Sequence, residues 1–198
     1  MQQYIVSTAE LKEIQKIEKE MLIEIDRICR KYNLPYNMVG GTMLGAIRHK
    51  GFIPWDDDAD IAMLRVNYER FVEICKTELD TSRFYFQDIH QTEGYRWGYG
   101  KLRRKDTKFI RYGQEDMPYE QGIFVDIFPM DNVPDGKVKG YLHQCKCFIL
   151  RKKLWSAVGQ NVENNLIKRL WYAHWAKIPR EKLIKQYDKL VDETRGKE

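Results

Sequence analysis

Four aspartates in five residues, Asp56-Asp57-Asp58-Ala59-Asp60, lead directly into the apolar run Ile61-Ala62-Met63-Leu64. This junction constrains the fold more than any other stretch of the chain. Aspartate is a poor strand former, and adjacent carboxylates repel one another. An acidic mouth on an apolar strand therefore calls for something positive nearby. On a strand, residues two apart project to the same side. Asp58 and Asp60 are thus expected to point together, with Ala62 beyond them, while Ala59, Ile61 and Met63 face a core. Two hard oxygen donors on one rigid face suit Mg2+ or Mn2+. A DxD pair is common, and by itself it does not establish a metal site.

A third carboxylate sharpens the expectation. In the segment GIFVDIFPMD, which starts at Gly122, Ile123, Val125 and Ile127 alternate with Phe124, Asp126 and Phe128. Asp126 falls in the middle of an apolar strand, where an unpaired charge is costly. Two readings follow. Asp126 meets an arginine or a helix cap, or its strand lies beside that of Asp58 and Asp60 and completes a metal triad. In the second case it is also placed to take a proton from an attacking hydroxyl.

Ahead of the aspartates, a short apolar piece at residues 36–39 runs into Gly40-Gly41 and then a short helix expected over residues 42–49. A strand, two glycines and a helix beginning at Thr42 let bare backbone amides approach a phosphate at a positive helix end. The pattern is neither G-x-G-x-x-G nor a Walker loop with its lysine, so dinucleotide and P-loop readings fall away.

The remaining signals place these motifs. Ser7 and Glu10 form a capping-box start, and Leu11, Ile14, Ile17, Met21, Ile25 and Ile28 keep helical spacing as far as Tyr32-Asn33. A second amphipathic helix is read from Tyr68, Phe71, Val72, Cys75 and Leu79. Strands are expected over 59–64, 83–88 and 122–128. A hairpin is expected over 95–103 and 107–112, turned at Lys105-Asp106. From about residue 137 the pattern is helical, with breaks near Gly159 and Pro179. A mixed sheet followed by helices is the α+β class. We divide the chain into a core over residues 1–135, including the first helix, and a helical C-terminal region over 136–198.

Charge is split unevenly. Residues 137–198 hold 15 Lys and Arg against 6 Asp and Glu, and residues 1–136 hold 19 against 23. Such a split fits a protein that holds cations at one end and meets an anionic surface at the other, or solvated helix faces. No apolar run approaches membrane-spanning length, and the start MQQYIVSTAE lacks a signal-peptide layout, which points to the cytoplasm. The four cysteines fit reduced thiols. His143, Cys145 and Cys147 lack the paired spacing of a zinc site. His49, His90 and His174 show no spacing for a nucleophile–base device.

The segment GGTMLGAIRHKGFIPWDDDADIAM from Gly40 to Met63, followed by VDIFPMD from Val125, resembles the LicD family of phosphocholine transferases within the nucleotidyltransferase (polymerase-beta-like) superfamily. It is also similar to the fukutin-type ribitol-phosphate transferases. The resemblance covers roughly residues 20–135 and weakens in the helical remainder, where family members generally run longer. It implies a nucleotidyltransferase-like mixed sheet flanked by helices. It further implies a CDP-linked donor such as CDP-choline, its diphosphate bridged by metal on Asp58, Asp60 and Asp126. A hydroxyl of a glycan acceptor (lipopolysaccharide, teichoic acid or capsular polysaccharide) would attack the phosphate distal to cytidine, and CMP would leave.

Asp56 and Asp57 match the family's acidic run and are expected to order the loop, Asp56 foremost. Gly40, Gly41 and Thr42 are the expected phosphate contacts. Lys101 and Arg103 on one side, and Arg48 and Lys50 on the other, are expected to neutralise the diphosphate, or else to be exposed basic groups. Trp55, Trp97 and Tyr99, with Tyr95, Tyr112 and Tyr119 behind them, are candidates to cage choline's quaternary ammonium. The basic helices carrying Trp155, Trp171 and Trp175 either pack on the first helix or lean on the inner face of a membrane. No nucleic-acid partner is expected. Two alternatives stay open: nucleotidyl transfer from an NTP to a small hydroxyl compound, and a non-catalytic glycan- or nucleotide-binding module.

Overall fold

The computed structural model describes residues 6–195. Among them are six helices and five strands: α1 (Thr8–Lys31), β1 (Asn37–Met38), α2 (Gly40–Arg48), β2 (Ala59–Leu64), α3 (Arg65–Glu78), β3 (Phe84–Gln87), β4 (Gly100–Arg104), β5 (Phe124–Met130), α4 (Lys137–Val162), α5 (Leu166–Ala176) and α6 (Arg180–Asp192). The α+β expectation holds. The chain forms two compact units. The first comprises the described residues of Met1–Gln87 with Tyr99–Ile110 and Glu120–Met130; the second comprises Asp88–Gly98, Arg111–Tyr119 and the described residues of Asp131–Glu198.

The first unit is built on a five-stranded sheet in the order β1-β2-β5-β4-β3. Its central pair, β2 and β5, is parallel, and every other pair is antiparallel. The capping box forms as read: the Ser7 hydroxyl accepts from the Glu10 N–H at 3.3 Å, and the Ser7 N–H donates to the Glu10 carboxylate at 2.8 Å. Such a box supports the first turn of a helix by about 1 kcal/mol. Met21, Ile25 and Ile28 of α1 and Phe71 of α3 pack against Ile61, Met63, Leu102, Val125 and Ile127. Both helices therefore lie on the strands' apolar face. Strand alternation sends the intervening residues Asp60, Lys101 and Asp126 to the other face.

The expected hairpin over 95–103 and 107–112 does not form. β4 starts only at Gly100 and is flanked on both edges, by β3 and β5, so no edge remains for a strand at 107–112. The turn at Lys105-Asp106 exists, with Asp106 at φ 58°, but it leads out of the sheet, and the Phe109 N–H pairs with the Gln121 carbonyl at 2.7 Å.

The second unit packs α4 and α6 around Ile89, Leu150, Leu154 and Leu183, and α5 lies on α4 through Tyr172 against Trp155. Arg180 joins the 88–98 segment to it by donating to the carbonyls of Ile89, Thr92 and Tyr95. α4 runs through Gly159 instead of breaking there. A side chain at Gly159 would collide with the rings of Trp155 and Tyr172, so this glycine serves close α4–α5 packing. The break at Pro179 is present.

Candidate active site

The site is assembled by the short helix α2 and the loop that precedes β2. Val39 enters α2 extended, and Gly40 then takes φ 57°, a left-handed value that favours glycine. The two glycines form the first turn of α2 instead of standing ahead of it. A Cβ on Gly41 would overlap Oδ2 of Asp56, and one on Gly40 would sit 3.4 Å from Oδ2 of Asp60. The glycine pair thus lets two carboxylates close on the start of a helix, where unpaired N–H groups make a positive end. From behind, Gln15 of α1 holds the loop, its amide donating to the carbonyls of Ile53 at 3.0 Å and Asp56 at 2.9 Å. Thr42 is buried, and its hydroxyl accepts the Asp60 N–H at 2.7 Å, fastening α2 to β2.

Strand register sets the rest. Asp60 stands opposite Asp126, Asp126 opposite Lys101, and Lys101 opposite Gln87. One polar rung crosses β2, β5, β4 and β3 on the face away from α1 and α3. Asp58 lies just ahead of β2. Asp126 is only 8% exposed and is ion-paired and hydrogen-bonded to the Lys101 ammonium. That ammonium lies 3.4 Å from the Phe124 ring centroid and 5.4 Å from that of Tyr99.

These carboxylates crowd one another. Burial pushes the Asp60 carboxyl up to about 6, helped by repulsion from Asp58, Asp126 and Asp56 and opposed by Lys101. Burial likewise raises Asp126, with Lys101 pulling it back and Asp58 pushing it further. Acidic groups held together against their own repulsion form a donor set of hard oxygens that fits a divalent cation. Among the described residues, the three carboxylates that bring oxygens within 4.8 Å of one another are Asp56, Asp57 and Asp58. Asp58 also acts on the Asp60–Asp126 pair, its charge raising both carboxyls.

A family model described as "LicD/FKTN/FKRP, nucleotidyltransferase domain" matches residues 33–181, which include every one of these side chains but Gln15. The chain belongs to the LicD family. Over 131 residues it is 42% identical to the lipopolysaccharide cholinephosphotransferase LicD of Haemophilus influenzae, covering 63% of this chain and 46% of that protein. It is also 33% identical over 76 residues to an uncharacterized protein, RP689, of Rickettsia prowazekii, covering 29% of each chain. The match spans less than half the length of each of these relatives.

The other candidate residues of this LicD-family chain are dispersed. Arg48 and Gly40 lie at opposite ends of the nine-residue α2, about 12 Å apart at 1.5 Å per residue. Lys50 follows Arg48 at φ 57° and is exposed. Arg103 is 2% exposed, and its guanidinium donates to Gln87 Oε1 and the Gly122 carbonyl, both at 2.6 Å. It braces the strands, so of the two expectations for it, a diphosphate contact or an exposed basic group, the exposed one fails. Trp55 is 76% exposed and edge-on to His49 at 6.2 Å. Trp97 is buried and belongs to the second unit. Tyr99 packs on Phe128 with ring centroids 4.7 Å apart.

Gln87 and Phe128 are not among the site residues nominated from the sequence. Phe128 is within the sequence's reach: the alternation that sets Asp126 apart places Phe128 on the same face. Gln87 becomes visible only through the pairing of β3 with β4.

Proposed function

We propose that the protein transfers phosphocholine, or a related phospho-alcohol, from a CDP-linked donor to a hydroxyl of a cell-surface glycan, with lipopolysaccharide the foremost acceptor and teichoic acid or capsular polysaccharide as others of its class. The observation that carries this reading is the meeting of Asp60 and Asp126 on adjacent parallel strands beside Asp58, next to a glycine-started helix. Family membership and the named activity of the Haemophilus relative support it.

Asp58, Asp60 and Asp126 would hold Mg2+ or Mn2+. Bound there, the cation would supply positive charge against the donor's diphosphate. The chain's own groups do the rest. The start of α2 offers N–H groups to phosphate oxygens. Asp126 takes the proton of the acceptor hydroxyl. The hydroxyl oxygen bonds to the distal phosphorus, and the bond from that phosphorus to the bridging oxygen breaks. CMP leaves with the electron pair. Tyr99 and Phe128 present aromatic faces beside Asp126, and Trp55 presents another at the loop; these suit a quaternary ammonium.

Incubation with CDP-choline, Mg2+ and lipopolysaccharide should release CMP and label the glycan with choline. Wild-type turnover by Asp58→Asn would remove the triad from the mechanism. Pyrophosphate released from an NTP, with none of the CMP reaction, would favour nucleotidyl transfer instead. Donor binding by calorimetry without any turnover would favour a binding module.

A membrane contact fits the same reading. Among the described residues no helix is long and apolar enough to cross a membrane. Yet α4 exposes Val138, Tyr141, Leu142, Phe148 and Ile149 along one helical face, and α5 exposes Ile167, Leu170 and Trp171. The two helices carry eight Lys and Arg and no Asp or Glu. Apolar and aromatic residues set among helix cations, of which Lys146 pairs with Glu193, suit the interface of an anionic bilayer on the cytoplasmic side, where a lipid-anchored acceptor is presented. Phosphatidylglycerol vesicles should sediment the protein and phosphatidylcholine vesicles should not; equal partition would overturn the contact.

A further inference from the structure

Lys101 is 5% exposed, a rare depth for an ammonium without a partner, and its partner here is Asp126. Broken by removal of one member, such a pair leaves a buried charge uncompensated. The ammonium also rests against the Phe124 ring and near that of Tyr99, so the aromatic faces stabilise it where it stands. It therefore occupies the electrostatic place on Asp126 that a divalent cation requires. Two cations within a few ångströms of one another repel strongly at low dielectric. Lysine differs from arginine in carrying a compact charge on a flexible stem, so its head group can leave one oxygen for another with little movement of the backbone.

Resting on the metal reading above, we propose that Lys101 is an internal counter-ion that competes with the divalent cation for Asp126. The protein without donor consequently holds the metal weakly. Metal and donor fill the site together, because the diphosphate supplies the negative charge that receives the displaced ammonium. Lys101 is in this sense a positioning residue: it holds the Asp126 carboxylate aligned, and it couples metal occupancy to the presence of an anionic donor. The same residue accounts for how the rung tolerates Asp60 and Asp126 side by side.

Mn2+ binding, read from the electron paramagnetic resonance signal of the free ion, tests this without reference to turnover. Wild-type protein should bind Mn2+ at least tenfold more tightly with CDP-choline than without it. Lys101→Met should bind Mn2+ alone at least tenfold more tightly than wild type does, and CDP-choline should add little. Lys101→Arg, which keeps the charge, should remain close to wild type without donor. A Lys101→Met protein that melts lower in chelator and recovers with Mn2+ supports the proposal equally. The wild-type comparison stands even if the variant does not fold. Equal Mn2+ affinity with and without donor in wild type, or no tightening in a folded Lys101→Met, overturns the competition while leaving the metal site intact. Absence of Mn2+ binding by wild type with or without CDP-choline overturns the metal reading itself, and this inference with it.

Discussion

Replacing Asp60 by Asn should stabilise the protein in chelator and, on the proposed mechanism, abolish CMP release. The carboxyl is raised from an ordinary 3.8 to about 6 by burial and by Asp58 and Asp126. A rise of about two pKa units corresponds to about 3 kcal/mol at 1.36 kcal/mol per unit. Partial solvent screening reduces this to about 2 kcal/mol. The sign follows from linkage: the folded state binds this proton more tightly than the unfolded state does. Asp60 thus costs nothing below about pH 4, costs progressively more as pH rises towards about 6, and costs a constant amount above that. Asparagine keeps the side chain's shape, and the backbone N–H still reaches the Thr42 hydroxyl. Thermal unfolding in chelator at pH 7.5 should therefore show Asp60→Asn melting about 4–8 °C above wild type. The gap should close as pH falls to 4. Saturating Mn2+ should raise wild type and leave the variant nearly unmoved. A variant no more stable than wild type at pH 7.5, or one whose advantage persists unchanged at pH 4, would refute the claim that burial and neighbouring carboxylates make the ionised Asp60 costly.

Gly41→Ala should retain the fold by circular dichroism yet lower CMP release about 100-fold. Its new methyl would displace the Asp56 carboxylate from the start of α2, and misplacement of about 1 Å is costly to catalysis; a near-wild-type rate would count against that close approach. Arg103→Met should lower stability to urea by about 3 kcal/mol, because the Gln87 and Gly122 oxygens lose a charged donor. Its affinity for CDP-choline in the folded protein should hold, and the reverse pattern would return Arg103 to the phosphate. Trp55→Ala should change stability by less than about 0.5 kcal/mol, given its exposure. If Trp55 meets the choline head, the KM for CDP-choline should rise in this variant; an unchanged KM would remove Trp55 from the donor site.

Local pattern carried much of this molecule. Ser7 and Glu10 announced α1, and its apolar spacing named the residues that reach the sheet. Alternation around Asp126 marked its strand, and the acidic run before Ile61 marked the strand that would lie beside it. The misreadings fell where pairing partners lie far apart along the chain. Residues 107–112 have strand-like composition, but β4 has neighbours on both edges. Gly159 looked like a stop, yet its missing side chain lets Trp155 and Tyr172 come together.

Composition and spacing were sufficient to single out Asp126, because a carboxylate inside an apolar strand is anomalous wherever that strand goes, and alternation set Asp58 and Asp60 on one side. They were silent on what answers those charges. Lys101 and Arg103 are two residues apart on one face of β4 and look alike in sequence, yet one meets Asp126 and the other braces Gln87 and Gly122. Which cation meets which oxygen follows from the register of β4 against β5 and β3. Register is a property of strands brought together from distant parts of the chain, and no local stretch encodes it.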